Sequence, residues 1–123
     1  MAARFIRIAV IYLVIGGLLG MYMGITTKFT LTPVHAHVLL AGWLSLAMAG
    51  VVYNLYPGAA TTKLAKAHFW LHNVGLPVFM IGLAGFLLGG NQAMTPVVAG
   101  GALVLLVGLV LFAANVLMNV RQA

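Results

Sequence analysis

Residues 95–119 read TPVVAGGALVLLVGLVLFAANVLMN and contain no charged side chain. A helix needs about 20 consecutive apolar residues to cross the hydrocarbon core of a bilayer, and this run is long enough to do so. Three further apolar runs meet the same criterion, with approximate limits 6–25, 33–56 and 68–89. The sequence therefore predicts an all-α membrane protein with four transmembrane helices.

The composition of the chain agrees with this fold class. The 123 residues are 64% hydrophobic and only 5% charged, whereas soluble domains contain about 25% charged residues. Six Lys and Arg residues carry all of the charge, with no Asp or Glu. Because these charges lie at the ends of the apolar runs and not in one cluster, we expect them to contact anionic lipid headgroups rather than nucleic acid. The absence of Cys excludes disulfides and thiolate ligands.

Short connections separate the four runs. They cover 26–32, 57–67 and 90–94 and are marked by Gly, Pro or Asn residues that favour turns. Connections of this length place consecutive helices side by side, so we expect an antiparallel four-helix bundle that forms a single domain over 1–123. Pro77 lies inside the third run, where it predicts a kink and not a helix end, because membrane helices tolerate proline.

The basic residues indicate the orientation of the bundle. An N-terminus on the cytoplasmic side leaves Lys28 alone on the outer face and places the other five on the inner face: Arg4, Arg7, Lys63, Lys66 and Arg121. This asymmetry follows the positive-inside rule. We therefore expect both termini in the cytoplasm, with His35 and His37 at the outer face and His68 at the inner face.

Small and amide residues recur along the helices. Gly16, Gly20 and Gly24 follow one another at four-residue spacing, a pattern typical of close helix contact in lipid. The same glycines could instead make room for a flat cofactor. Asn115 and Asn119 lie near the predicted inner headgroups, where helix capping or interfacial solvation is sufficient to explain them.

The four histidines are the strongest functional signal, because an ionisable side chain inside a spanning segment is costly. We expect all of them in the first turns of two helices, His35 and His37 on the second and His68 and His72 on the third. His68 and His72 are four residues apart, so they share one face and could chelate one ion. A solvated position at headgroup depth is the simpler expectation for His68. His35 and His37 are two residues apart and point to opposite faces.

The segment 31–37, LTPVHAH, resembles the second helix of the catalytic subunit of haem–copper oxidases, and the likeness continues to Tyr53. It is greatest for the cbb-type cytochrome oxidases and their nitric-oxide-reductase relatives. The stretch from Phe69-Trp70 to Gln92 is similar to the third helix of that subunit. In that family a Pro-x-His at the outer end of the second helix supplies an axial ligand to the low-spin haem b. The resemblance therefore implies this role for His35, and a bacterial inner membrane.

The sequence also departs from the oxidase pattern. The copper ligands of the family, its high-spin haem ligand and its second low-spin ligand lie on later helices that have no counterpart here. The resemblance therefore implies neither oxygen reduction nor proton pumping, and only His35 corresponds to a haem ligand. We expect a small stand-alone protein that is not a complete terminal oxidase.

The first functional hypothesis is a membrane b-type haem protein, with His35 as axial ligand and Gly42 in the pocket. The sixth ligand could be His37, Met21, Met23 or His35 from a second protomer, which would make a homo-oligomer part of the site. Its role would be electron transfer with a redox partner protein, or binding or sensing of nitric oxide or oxygen.

Two other functions compete with haem binding. His35 and His37, with the nearby methionines, could form a copper-handling site at the outer face, because imidazole and thioether suit copper. His68 and His72 are a weaker metal candidate at the inner face. The third hypothesis is a structural module for oxidase assembly, without a cofactor. Acid–base catalysis is not expected from a chain without carboxylates.

Overall fold

The computed structural model describes residues 1–121, which form helices and no strand. Four of the helices are long and apolar enough to span a membrane, which confirms the predicted all-helical class. They are α1 (Ala2–Thr26), α2 (Thr32–Leu55), α3 (Lys63–Gly89) and α4 (Thr95–Asn119). A one-turn helix at Pro57–Ala60 and a 3-10 turn at Gln92–Met94 lie in the second and third connections.

The third helix begins earlier than predicted, at Lys63 instead of His68. Thr62 provides the cap, because its hydroxyl accepts a hydrogen bond from the Ala65 N–H at 3.1 Å and so satisfies one of the unpaired donors of the first turn. The longer helix moves His68 into the second turn and His72 into the third. The prediction that these two histidines occupy the first turn is therefore wrong.

The second helix contains a wide turn. Its backbone is α-helical over Thr32–His37, π-helical over Val38–Leu44 and α-helical again over Ser45–Leu55. The Ser45 N–H bonds to the carbonyl of Leu40, five residues earlier, and the Ser45 hydroxyl donates to the same carbonyl at 2.8 Å. Hydropathy did not predict this turn, because hydrogen bonds and not apolarity distinguish it from an α-helix. Short π-helical turns often mark functional sites.

Glycines on α3 and α4 allow these two helices to pack backbone to backbone. A Cβ added to Gly75 would lie 2.6 Å from the backbone N of Leu105, and one added to Gly101 would lie 2.4 Å from that of Phe79. Such distances leave no room for a side chain, so this contact requires glycine. Pro77 lies within α3, and the helix continues past it, as predicted.

The glycines of α1 serve its contact with α2 only in part. A Cβ on Gly16 would lie 2.4 Å from the Leu39 side chain, and one on Gly20 would lie 2.8 Å from the His35 ring. Gly24 has no atom within 4 Å of that position. The four-residue spacing therefore marks a helix contact at the first two glycines and not at the third.

Contacts bring the start of α1, the end of α2, the start of α3 and the end of α4 together. The Phe5 ring lies 5.2 Å from that of Tyr53 and 5.3 Å from that of Phe69, and Asn115 bonds to the Ala59 carbonyl. Because Arg4, Arg7, Lys63, Lys66 and Arg121 belong to these segments, we name this part of the bundle the basic end. The opposite end carries His35 and His37.

Candidate functional site

A chain of hydrogen bonds runs through the interior of the basic end. The hydroxyl of Tyr53 lies 2.9 Å from His68 Nδ1, and His68 Nε2 lies 3.0 Å from His72 Nδ1. His72 Nε2 lies 2.7 Å from the carbonyl oxygen of Ala41, within the π-helical turn of α2. We name these three side chains the Tyr–His–His chain. It ties the third helix to the second at two points.

The acceptor at one end sets the direction of every bond in this chain. A carbonyl can only accept, so His72 must carry its proton on Nε2 and present a lone pair at Nδ1. His68 then donates from Nε2, which leaves its Nδ1 to accept from the hydroxyl of Tyr53. This is the assignment that satisfies the hydrogen-bond network when both imidazoles are neutral.

Aromatic rings and complete burial isolate the Tyr–His–His chain. His68 and His72 are both 0% exposed, and Tyr53 is 1% exposed. Phe5 stacks on His68 with ring centres 5.1 Å apart and an interplanar angle of 26°, and Phe112 lies 4.8 Å from the same ring. Side chains from all four long helices therefore surround His68. The expectation of a solvated His68 at headgroup depth is wrong, because the earlier start of α3 places it inside the bundle.

Asn115 extends the polar interior towards the end of α4. It is 0% exposed, donates to the Ala59 carbonyl at 3.0 Å and accepts a bond from Asn119 at 2.8 Å. Its side chain also faces the hydroxyl of Tyr53. Capping or interfacial solvation does not account for Asn115, which instead anchors the connection between α2 and α3.

The sequence pattern did not indicate the role of Tyr53. A tyrosine in the last turns of one helix and a histidine near the start of the next are brought together when the connection is short. That proximity could have indicated the pair. The prediction that His68 and His72 share one face is confirmed, and one hydrogen bond joins their facing nitrogens.

His35 lies at the opposite end of the bundle, between α2 and α1. Its ring is half-buried, and its Nδ1 lies 3.0 Å from the carbonyl oxygen of Gly16. Because that carbonyl can only accept, Nδ1 carries the proton and Nε2 presents a lone pair. Glycine at position 20 admits the ring, since a Cβ there would lie 2.8 Å from its Cε1 atom.

His37 has the same local arrangement on the other side of α2. Its Nδ1 donates to the Pro33 carbonyl at 2.7 Å, and its ring meets the edge of Phe79 on α3 with centres 5.0 Å apart. His35 faces α1 and His37 faces α3, so the two rings point to opposite faces as their spacing predicts. The structure does not bring them together at one point.

The remaining predicted site residues have separate surroundings. Met21 is 57% exposed, whereas Met23 is only 5% exposed. A Cβ on Gly42 would lie 2.5 Å from the Tyr12 ring, so tyrosine fills the space predicted for a cofactor. Within residues 1–121, no group of three His, Cys, Asp or Glu side chains is arranged to hold a metal ion.

A groove of about 460 Å³ lies between α1, α2 and α3. Its lining residues are apolar apart from Tyr12, and they include Val34 and Val38, which neighbour His35 along α2, and Pro77 and Met80 on α3. No histidine lines it. The groove could accept an apolar or flat group, but the geometry offers no ligand atom inside it.

Comparison with known protein families, with curated proteins and with solved structures finds no match. The resemblance to haem–copper oxidases therefore stays a prediction that rests on residues 31–92. The geometry of the two histidine pairs is the basis for a functional proposal.

Proposed function

We propose that the chain is an antiparallel four-helix protein of the bacterial inner membrane that binds haem b through His35, with both termini in the cytoplasm. The observation that supports this most directly is the bond from His35 Nδ1 to the Gly16 carbonyl at 3.0 Å. Histidines that ligate metals usually donate their other ring N–H to a carbonyl or carboxylate, which fixes the tautomer and the ring orientation. His35 meets this condition, and its ring is half-buried, as haem ligands are.

The donor chemistry of His35 fits an axial haem ligand. A neutral imidazole with Nε2 unprotonated is the form that binds haem iron. The ring packs against Gly20 on α1. The bound haem would supply a one-electron redox couple or a site for nitric oxide or oxygen. These two roles require a redox partner protein or a diffusible gas, respectively.

One protomer does not offer an obvious second axial ligand. His37 faces α3, and Met21 is largely exposed. Met23 is buried on α1, one turn beyond Gly20, and is the better placed of the two methionines. We therefore favour a homo-oligomer in which a second copy completes the site, with His35 of both protomers as ligands.

An optical spectrum tests this proposal. Protein purified in detergent from haem-replete cells should show a Soret band and a pyridine haemochrome spectrum typical of haem b. The variant His35→Ala should lose the band, whereas His37→Ala should keep it, and circular dichroism should show that both remain helical. A band that survives in His35→Ala would overturn the ligand assignment.

Copper handling is the second candidate, and one observation favours it. Both outer histidines donate Nδ1–H to a backbone carbonyl, so both present Nε2 as a lone pair. Because the rings face different helices, an ion bound to both would need ligands from two copies or a changed side-chain rotamer. Copper that co-purifies without haem, and that is lost in both His35→Ala and His37→Ala, would support this function. Protein that binds neither would support the structural module.

A further inference from the structure

We propose that Tyr53, His68 and His72 form a proton-transfer relay that connects the basic end of the bundle with the π-helical turn of α2. The relay is separate from His35 and does not depend on what that residue binds. Its basis is the unbroken chain of bonds from the Tyr53 hydroxyl to the Ala41 carbonyl, with lengths of 2.9, 3.0 and 2.7 Å.

Each member of the chain can accept a proton on one atom and release another from a second atom. Tyr53 does so at its hydroxyl oxygen, and each imidazole does so with its two nitrogens. In the resting state all bonds point towards Ala41, for the reason given above. The three groups are thus already aligned for proton transfer in one direction.

An added proton can move along the chain without breaking the network. A hydronium ion that reaches Tyr53 gives its proton to the hydroxyl oxygen and becomes water, and the hydroxyl's own proton passes to His68 Nδ1. The Nε2–H bond of His68 then breaks as that proton binds His72 Nδ1. His72 becomes an imidazolium: its Nδ1–H donates to His68 Nε2, and its Nε2–H still donates to the Ala41 carbonyl. His68 now carries a proton on Nδ1 and donates it to the Tyr53 oxygen. The two bonds reverse direction, and both stay intact.

The surroundings oppose storage of that proton on His72, so it returns to Tyr53 while the Ala41 carbonyl closes the other end. A charged imidazole is costly in an apolar interior, and the chain has no Asp or Glu to neutralise it. From α1, the guanidinium of Arg4 lies 6.0 Å from the centre of the Phe69 ring, so the charge on that side is also positive. From α4, the facing polar group is the neutral amide of Asn115. The imidazolium is therefore a short-lived state.

The two ends of the relay differ. At the basic end, Asn115 faces Tyr53 and is bonded to Asn119, which is half-buried near the end of α4. These two amides are the polar side chains next to the tyrosine at this end. At the other end, the Ala41 carbonyl cannot pass a proton on. A proton leaves His72 there only if another acceptor replaces the carbonyl, so the π-helical turn acts as the closed end of the relay.

Histidine NMR tests the first requirement of the relay. In haem-free protein labelled with ¹⁵N-histidine and reconstituted in bicelles, both His68 and His72 should be protonated at Nε2 and unprotonated at Nδ1. A coupling should be observed across the bond between His68 Nε2 and His72 Nδ1. Any other tautomer pattern, or the absence of this coupling, would show that the chain is not aligned and would overturn the proposal.

Relaxation dispersion of the ¹⁵N signal of His72 Nδ1, the nitrogen that gains and loses a proton in the transfer, tests the transfer itself. The variant Tyr53→Phe removes only the oxygen through which protons enter, so the exchange rate at this nitrogen should fall by about tenfold or more. Tyr12→Phe removes a hydroxyl that contacts neither histidine and should leave the rate unchanged. Equal or faster exchange in Tyr53→Phe, with a backbone spectrum like that of the parent, would mean that protons arrive by opening of the bundle. If Tyr53→Phe does not fold, the tautomer pattern and coupling of the parent protein decide the proposal.

Discussion

The two histidine pairs lie in opposite halves of the molecule and differ in how many of their ring nitrogens form hydrogen bonds with the protein. At the basic end, all four ring nitrogens of His68 and His72 take part in hydrogen bonds, and both side chains are fully buried. At the opposite end, His35 and His37 each bond through Nδ1 to a backbone carbonyl. Their Nε2 atoms have no protein partner among residues 1–121.

This difference separates two kinds of function. A histidine whose nitrogens are both bonded to the protein can pass a proton along or stabilise the fold, but it must give up a bond to bind a ligand. A histidine with one oriented N–H and one lone pair is prepared to bind a metal or haem iron. The comparison therefore supports the two proposals, ligand binding at the end with His35 and internal proton transfer at the basic end.

The largest expected effect comes from truncating His72, one of the two fully buried histidines. His72→Ala removes the partner of both His68 and the Ala41 carbonyl and leaves a cavity, so we expect a loss of about 2–4 kcal/mol in the free energy of unfolding. His37→Ala, on a half-buried side chain, should cost less than about 1 kcal/mol. Denaturant titration in mild detergent measures both. Equal losses in the two variants would contradict the distinction between the ends.

A smaller effect is expected at Asn115. Asn115→Ala removes the donor to the buried Ala59 carbonyl and the acceptor of Asn119, which should lower the free energy of unfolding by about 1–3 kcal/mol. Asn73→Ala is the matched control, because Asn73 is half-buried and bonds only to the Phe69 carbonyl of its own helix at 2.8 Å. The same titration compares the two amides. A control as costly as Asn115→Ala would show that burial of Asn115 is not the cause.

The smallest effect is expected at the opposite end. In Gly20→Ala the new methyl group would lie 2.8 Å from His35 Cε1, so the ring must shift and its bond to Gly16 should weaken, at a cost of about 1 kcal/mol. Gly17→Ala meets no atom within 4 Å and should be neutral or slightly stabilising, because alanine favours helix. Unfolding titrations and the His35 ¹⁵N chemical shifts report the difference. An unchanged His35 signal in Gly20→Ala would contradict the proposed packing of the ring.

The candidate site was predictable only in part. The four-residue spacing was enough to place His68 and His72 on one face, and the two-residue spacing was enough to separate His35 from His37. The roles of Tyr53 and Asn115 were not predictable in this way, because their partners lie on other helices. Burial of His68 also depended on the cap at Thr62, which lengthens the third helix beyond its apolar run.

Hydropathy alone determined that the protein has four long apolar helices, and it located their ends to within a few residues. This was possible because a helix satisfies its own backbone hydrogen bonds, so local apolarity is enough to specify a segment that can span a bilayer. Only the tertiary structure decided which polar atoms meet. The π-helical turn, the bond from His72 to Ala41 and the pairing of Tyr53 with His68 depend on the depth and rotation of each helix against its neighbours. Those quantities are set by glycine contacts and buried side-chain bonds between helices, which a pattern along one helix does not contain.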